Sequence, residues 1–115
     1  MSGSTITKKP LGDNKLVVDP GSSLDNSNAG EMLEIIYSAL SDGVKYLILD
    51  MANLEHLSSA GVGTILGTLD EFREADGDII LCNVPENILH ILQVLDLTGF
   101  LTIKTDFMEA TEFSR

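Results

Sequence analysis

Apolar residues recur along this chain in two alternating rhythms. Residues 45–51 and 78–82 are short, nearly continuous apolar runs, the pattern of strands covered on both faces. Residues 15–19 read as another strand, 4–7 as a further one at the edge, and 100–104 as the last. Between them the spacing changes to three and four. Met32, Leu33, Ile36, Ala39 and Leu40 predict a helix over residues 29–41, with Asn28 and Glu31 as a capping box and Gly43 as its stop. Val62, Ile65, Leu66, Leu69 and Phe72 predict a second helix over 59–74. Ile88, Leu89, Ile91, Leu92 and Leu95 form the stripe of a third, opened by an Asn83/Glu86 box with Pro85 early in the helix and closed by Gly99. Asp106 with Glu109 predicts the cap of a short final helix or tail over 106–115 that carries Phe107, Met108 and Ala110. Residues 20–23 and 25–28 have turn and loop chemistry. Strands alternating with helices in this way predict one α/β domain over residues 1–115, with a mostly parallel sheet joined by right-handed crossovers. No internal repeat interrupts it, and residues 1–4 are expected to be disordered.

The second helix carries an anomaly. At ~100° per residue, Gly63 and Gly67 point about 145° from the centre of its apolar stripe, away from the sheet. Each outward glycine costs roughly 0.8–1 kcal/mol relative to alanine. Residues 70–78 add five acids and only Arg73 at a helix end whose dipole disfavours negative charge. Tolerance explains single instances of such features; the glycine pair followed by the acid run favours an interaction surface. The head of the helix supplies the chemistry. Ser58 or Ser59 is a natural N-cap before Gly61 and Gly63, and a hydroxyl there lies beside unpaired N–H groups and the positive end of the dipole. Such a position accepts a phosphate readily.

Composition narrows the function classes. Eighteen acidic residues against seven basic ones give a formal charge of −11, which repels nucleic acid and anionic membrane surfaces. Apolar content of 43% suits a folded domain. No apolar run approaches the ~18–20 residues of a membrane span, and the N-terminus lacks the apolar stretch of a signal peptide. Cys82 is the only cysteine and sits in an apolar run, so it reads as a core residue, and a cytoplasmic location is expected. His56 and Glu55 supply too few donors for a metal. A triad from Ser59, His56 and Glu55 lacks the Gly-x-Ser-x-Gly elbow, and His90 reads as a solvated or boundary residue. Gly61 and Gly63 lack the third glycine and the lysine of a phosphate-binding loop. No cofactor or metal site and no catalytic pair is read from these residues.

Residues 47–50, the turn Ser58-Ser59-Ala60-Gly61-Val62-Gly63 and residues 82–85 together resemble the STAS domain family, and more narrowly the bacterial anti-sigma factor antagonists. The resemblance spans roughly residues 15–104. It implies a mixed, mostly parallel central sheet of about five strands with helices mainly on one face and an N-terminal edge strand. It also implies a non-enzymatic switch that binds a cognate anti-sigma factor, itself a GHKL-type serine kinase, and is released when a serine at the head of the second helix is phosphorylated. Aligning Gly61-Val62-Gly63 with the family's Gly-aliphatic-Gly places Ser59 at the phosphorylated position, with Ser58 the second choice. Ser58 stands where many kinase substrates carry aspartate, and Ala60 where they carry serine or threonine. In this family the loop flanked by Asp19 and Asp25 borders the same end of the sheet. The implied contact surface therefore comprises Ser58, Ser59, Gly61, Gly63, Gly67, Asp70 and Asp25. Two alternatives stay open: a constitutive STAS scaffold or accessory subunit of a transport or signalling complex, and a small-ligand or nucleotide sensor using the 58–63 turn. The oligomeric state is open between monomer and weak dimer.

Overall fold

The computed structural model describes residues 6–114. Its sheet contains strands β1 (Thr7–Leu11), β2 (Lys15–Asp19), β4 (Tyr46–Asp50), β6 (Asp78–Cys82) and β7 (Thr102–Lys104), in the order β1-β2-β4-β6-β7. β1 runs antiparallel to β2; every other pairing is parallel. Two short strands, β3 (Ser23–Leu24) and β5 (His56–Leu57), pair with each other outside this sheet. The helices are α1 (Ala29–Ser41), α2 (Ser59–Glu74), α3 (Glu86–Val94) and α4 (Phe107–Phe113). The mixed, mostly parallel sheet is thus the expected one. No helix among the described residues is long and apolar enough to cross a membrane.

Alternation along β4 and β6 divides the core. Leu47, Leu49, Ile79 and Leu81 face one side, where Met32 and Ile36 of α1, Leu69 and Phe72 of α2, and Ile88 and Leu92 of α3 bury against them. Ile48, Ile80 and Cys82 face the other and meet Ala110 of α4. Three helices therefore cover one face, and a single seven-residue helix lies on the opposite one.

Several local expectations are corrected. The edge strand is Thr7–Leu11 rather than 4–7; Ile6 precedes it, and residues 1–5, with the expectation of disorder at 1–4, lie outside the described residues. Lys8, Lys9 and Pro10 break the apolar rhythm, yet an edge strand accepts both charge and a residue without an N–H. Asn28 and Asn83 do not complete their capping boxes. The Asn28 side chain instead accepts from the Asp25 N–H (3.0 Å) and donates to the Ser23 carbonyl (2.8 Å). Asn83 adopts a left-handed φ of 53° and donates to Asp50 Oδ1 (3.1 Å). α3 ends at Val94, and the chain turns away through Asp96, φ 61°, rather than at Gly99, which leaves Leu95 half exposed. The Asp96 and Leu97 N–H groups return to the Gln93 and Leu92 carbonyls, a Schellman closure. Gly43 closes α1 in the same manner, as expected. Asp106 caps α4 by accepting from the Glu109 N–H at 2.9 Å.

Candidate functional site

Parallel strands deliver their following loops to one end of the sheet, and two of those loops are stitched together there. Asp19 at the end of β2 accepts from the Gly21 N–H (2.8 Å) and from Asn53 Nδ2 (2.9 Å), joining the first loop to the one after β4. β3 and β5 pair across the same gap, and the Ser58 N–H donates to the Leu24 carbonyl at 3.0 Å. Leu24 and Leu54 are buried and anchor the pair from below. The loop pair therefore positions the start of α2.

Ser58 is the N-cap of that helix. Its backbone is extended (φ −93°, ψ 172°), and its Oγ accepts from the Gly61 N–H at 3.3 Å. Ser59 is the first residue of the helix and is exposed, and its hydroxyl makes no hydrogen bond among the described residues. Gly63 and Gly67 are exposed on the outer face, where an added Cβ would meet nothing within 4 Å. Val62, Ile65, Leu69 and Phe72 face inwards, as the periodicity predicts, with Leu66 partly buried beside them.

Gly61 behaves differently from the other two glycines. It is buried, and a Cβ there would lie 2.5 Å from the Leu24 carbonyl oxygen and 2.9 Å from Leu57 Cδ1. Its place in the expected contact surface is corrected: the absent side chain lets the loop approach the helix and offers nothing outward. Asp70 is exposed but lies eleven residues along α2 from Ser59, about 16 Å at 1.5 Å per residue. The acid run also loses a member. Asp78 is buried, pairs with Arg73 Nε at 3.0 Å and accepts from the Thr102 hydroxyl, so the outward acids are Asp70, Glu71, Glu74 and Asp76.

Asp25 sits beside the serines in the first loop. The Ser27 hydroxyl (2.6 Å) and the Ser27 N–H (2.9 Å) both donate to its Oδ1. These bonds hold its carboxyl below the usual range, with a smaller contribution from the charge of nearby His56. The loop therefore keeps its negative charge next to the helix head in mildly acidic solution. Periodicity and turn rules pointed to neither Leu24 nor Asn28 as the residues that hold this arrangement, because their partners are set by the pairing of distant loops.

The site has little catalytic chemistry. No side chain accepts the Ser59 proton among the described residues, nor does any group of three or more His, Cys, Asp or Glu converge to hold a metal. Cys82 is buried between α4 and the sheet. Burial, then the charges of Asp50 and Asp106, push its thiol up to about 11, so it is protonated and unreactive. The arrangement can present a hydroxyl, a bare helix face and a fixed carboxylate to another molecule.

The family model for the STAS domain matches residues 6–110. Over 79 residues the chain is 33% identical to the putative anti-sigma factor antagonist BtrV of Bordetella bronchiseptica, covering 68% of this chain and 66% of that relative. Its match thus spans about two thirds of the relative's length. Among solved structures, a putative anti-sigma factor antagonist from Thermotoga maritima superposes with a TM-score of 0.87 at 22% identity, covering 96% of this chain and 94% of that one. The Bacillus cell fate determinant SpoIIAA in its phosphorylated form gives 0.76 at 22% identity, covering 96% and 100%. At that identity the two structures speak to fold alone.

Proposed function

The chain belongs to the STAS domain family, in its anti-sigma factor antagonist branch, and on that premise we propose that it is a protein-interaction switch released by phosphorylation of Ser59. Its partner is a cognate anti-sigma factor that is also a serine kinase of the GHKL type. The observation that carries the reading is the Ser59 hydroxyl: exposed, unbonded, and at the head of a helix whose outer face is bare at Gly63 and Gly67. Ser58 is the poorer acceptor because its Oγ already caps the helix.

The physical mechanism follows from that placement. A phosphate on Ser59 adds about −1.5 to −2 charges and a bulky group at the contact surface. Helix N–H groups hold it without unfolding the domain, so the effect is release rather than refolding. A docked partner meets buried charge and repulsion, and a loss of ~3–4 kcal/mol weakens binding by two to three orders of magnitude. Asp25, Ser58 and the glycine face supply the rest of the contact, and Asp70 extends it along the helix. The domain itself carries out no reaction.

Ser58 in place of the aspartate common among kinase substrates favours one competing reading, a constitutive STAS scaffold. Incubation with the cognate kinase and ATP, followed by mass spectrometry, separates the two. The switch predicts phosphate on Ser59, full partner binding by Ser59→Ala and loss of binding by Ser59→Asp. An unmodified Ser59, together with equal binding by both variants, leaves the scaffold.

A further inference from the structure

The second face of the sheet is only partly covered. α4 packs on β4, β6 and β7. Beyond it, the same face of β1 and β2 carries Lys9, Leu11, Lys15 and Val17. Lys9 pairs with Val17 and Leu11 with Lys15, and Val17 pairs with Ile48 of the second core. β2 is an interior strand, yet Val17 stays half buried, as does Tyr46 beside Lys15.

The shape of α4 matches this gap. Ala110 points down into the sheet with no exposure, so Met108 and Glu112 form the crest, with Met108 69% exposed. Glu109, Glu112 and Phe113 line a hollow with Lys104 on the β7 side. Phe107 and Thr111 therefore flank α4 towards β2, and Phe107 is 37% exposed. We infer that a second copy of this chain closes the face: two copies stack sheet to sheet about a two-fold axis, the α4 of each lying on the β1–β2 strip of the other.

Three features favour a second copy over another occupant. One helix layer already sets the spacing between the sheets, and the second helix fills the vacant half of that layer. The two-fold axis brings Phe107 and Thr111 of the two helices together, as an isologous contact requires. Charge agrees as well. In a chain of net charge −11, two of the seven basic residues, Lys9 and Lys15, lie on this strip. Glu112 on the crest thus meets Lys9 and Lys15 where repulsion between two acidic copies is least. Two short strands and a seven-residue helix make a small patch, so the dimer is weak, below the ~1,200–2,000 Å² of stable interfaces. Ser59 belongs to the helix-covered side of the molecule and stays free.

Sedimentation of the full chain from micromolar to millimolar concentration tests the inference without any kinase. A reversible monomer–dimer equilibrium is expected. Met108→Lys, with an unchanged melting temperature, raises Kd by about tenfold or more; Lys9→Glu and Glu112→Lys each weaken the dimer, and the double variant recovers about the original Kd. Phe107→Cys forms a disulfide-linked dimer on mild oxidation, while buried Cys82 does not. A monomer at every concentration overturns the inference. So does a dimer indifferent to Met108→Lys, which places the contact elsewhere, or one that forms only after residues 1–5 are removed, which makes that segment the occupant.

Discussion

At its C-terminal end α2 is locked to the sheet by a closed set of polar contacts, whereas at its N-terminal end it presents a hydroxyl and a glycine face that the fold does not use. Arg73 donates to Asp78 (3.0 Å) and to the Phe100 carbonyl (2.9 Å) and lies 5.3 Å from the Phe100 ring centre. Asp78 also accepts from the Ile79 N–H (2.9 Å) and the Thr102 hydroxyl. Gly77 passes directly under Lys45. At the other end the Ser59 hydroxyl bonds to nothing among the described residues, and Gly63 and Gly67 have open space where side chains would stand. One helix thus separates what holds the domain together from what the domain offers to others. A partner can engage or leave the head while the locked foot keeps the helix in register.

The largest expected effect lies at the foot. A Cβ at Gly77 would fall 1.7 Å from the Lys45 carbonyl oxygen, and backbone must move to admit it. Gly77→Ala should cost more than ~3 kcal/mol, above the usual range for overpacking, and chemical denaturation measures it. Asp78→Ala comes next. It leaves Arg73 and Thr102 without their carboxylate, and because the Arg73 side chain is 35% exposed the loss is about 2 kcal/mol rather than that of a fully buried pair. Neither variant touches Ser59, so a folded fraction of each should still be phosphorylated by the kinase. Loss of phosphorylation in that fraction would show that head and foot are coupled, and the comparison would fail.

What was legible in the sequence divides along the same line. α1, α2, β2 and β6 emerge at their observed bounds because amphipathic period, apolar runs and flanking signals agree. The head of α2 was legible too, since a serine cap is a local device. The foot was not. By local rules Asp78 is one more acid in an unfavourable run; its partner Thr102, and the Phe100 carbonyl that its ion-pair partner Arg73 reaches, lie more than twenty residues away. Asn28 and Asn83 satisfied the rule for a capping box, but tertiary partners claimed their side chains. Asp76 and Asp96 hold the left-handed positions where glycine is the ordinary expectation. Gly61 shared a motif with Gly63, and only the Leu24 carbonyl separates their roles. Local chemistry reads from local sequence; contacts between distant loops do not.

The smallest effect is the most discriminating. Gly63→Ala and Gly67→Ala place a methyl group in open space on a helix, with no positive φ to oppose it. Each should stabilise the domain by up to about 1 kcal/mol, since alanine is the better helix former and restricts the unfolded chain. A fold under no other constraint gains from the change. If the bare face is where the partner rests, the same methyl groups hold it off, and affinity falls while the melting temperature rises. Gly61→Ala is the matched control: its Cβ would press on the Leu24 carbonyl, so stability should fall instead. Opposite signs at positions two residues apart, read by thermal melting and titration with the anti-sigma factor, isolate the outer face as the surface kept open for binding. Equal affinity in the Gly63 and Gly67 variants would return both glycines to mere tolerance and confine the contact to the serine head.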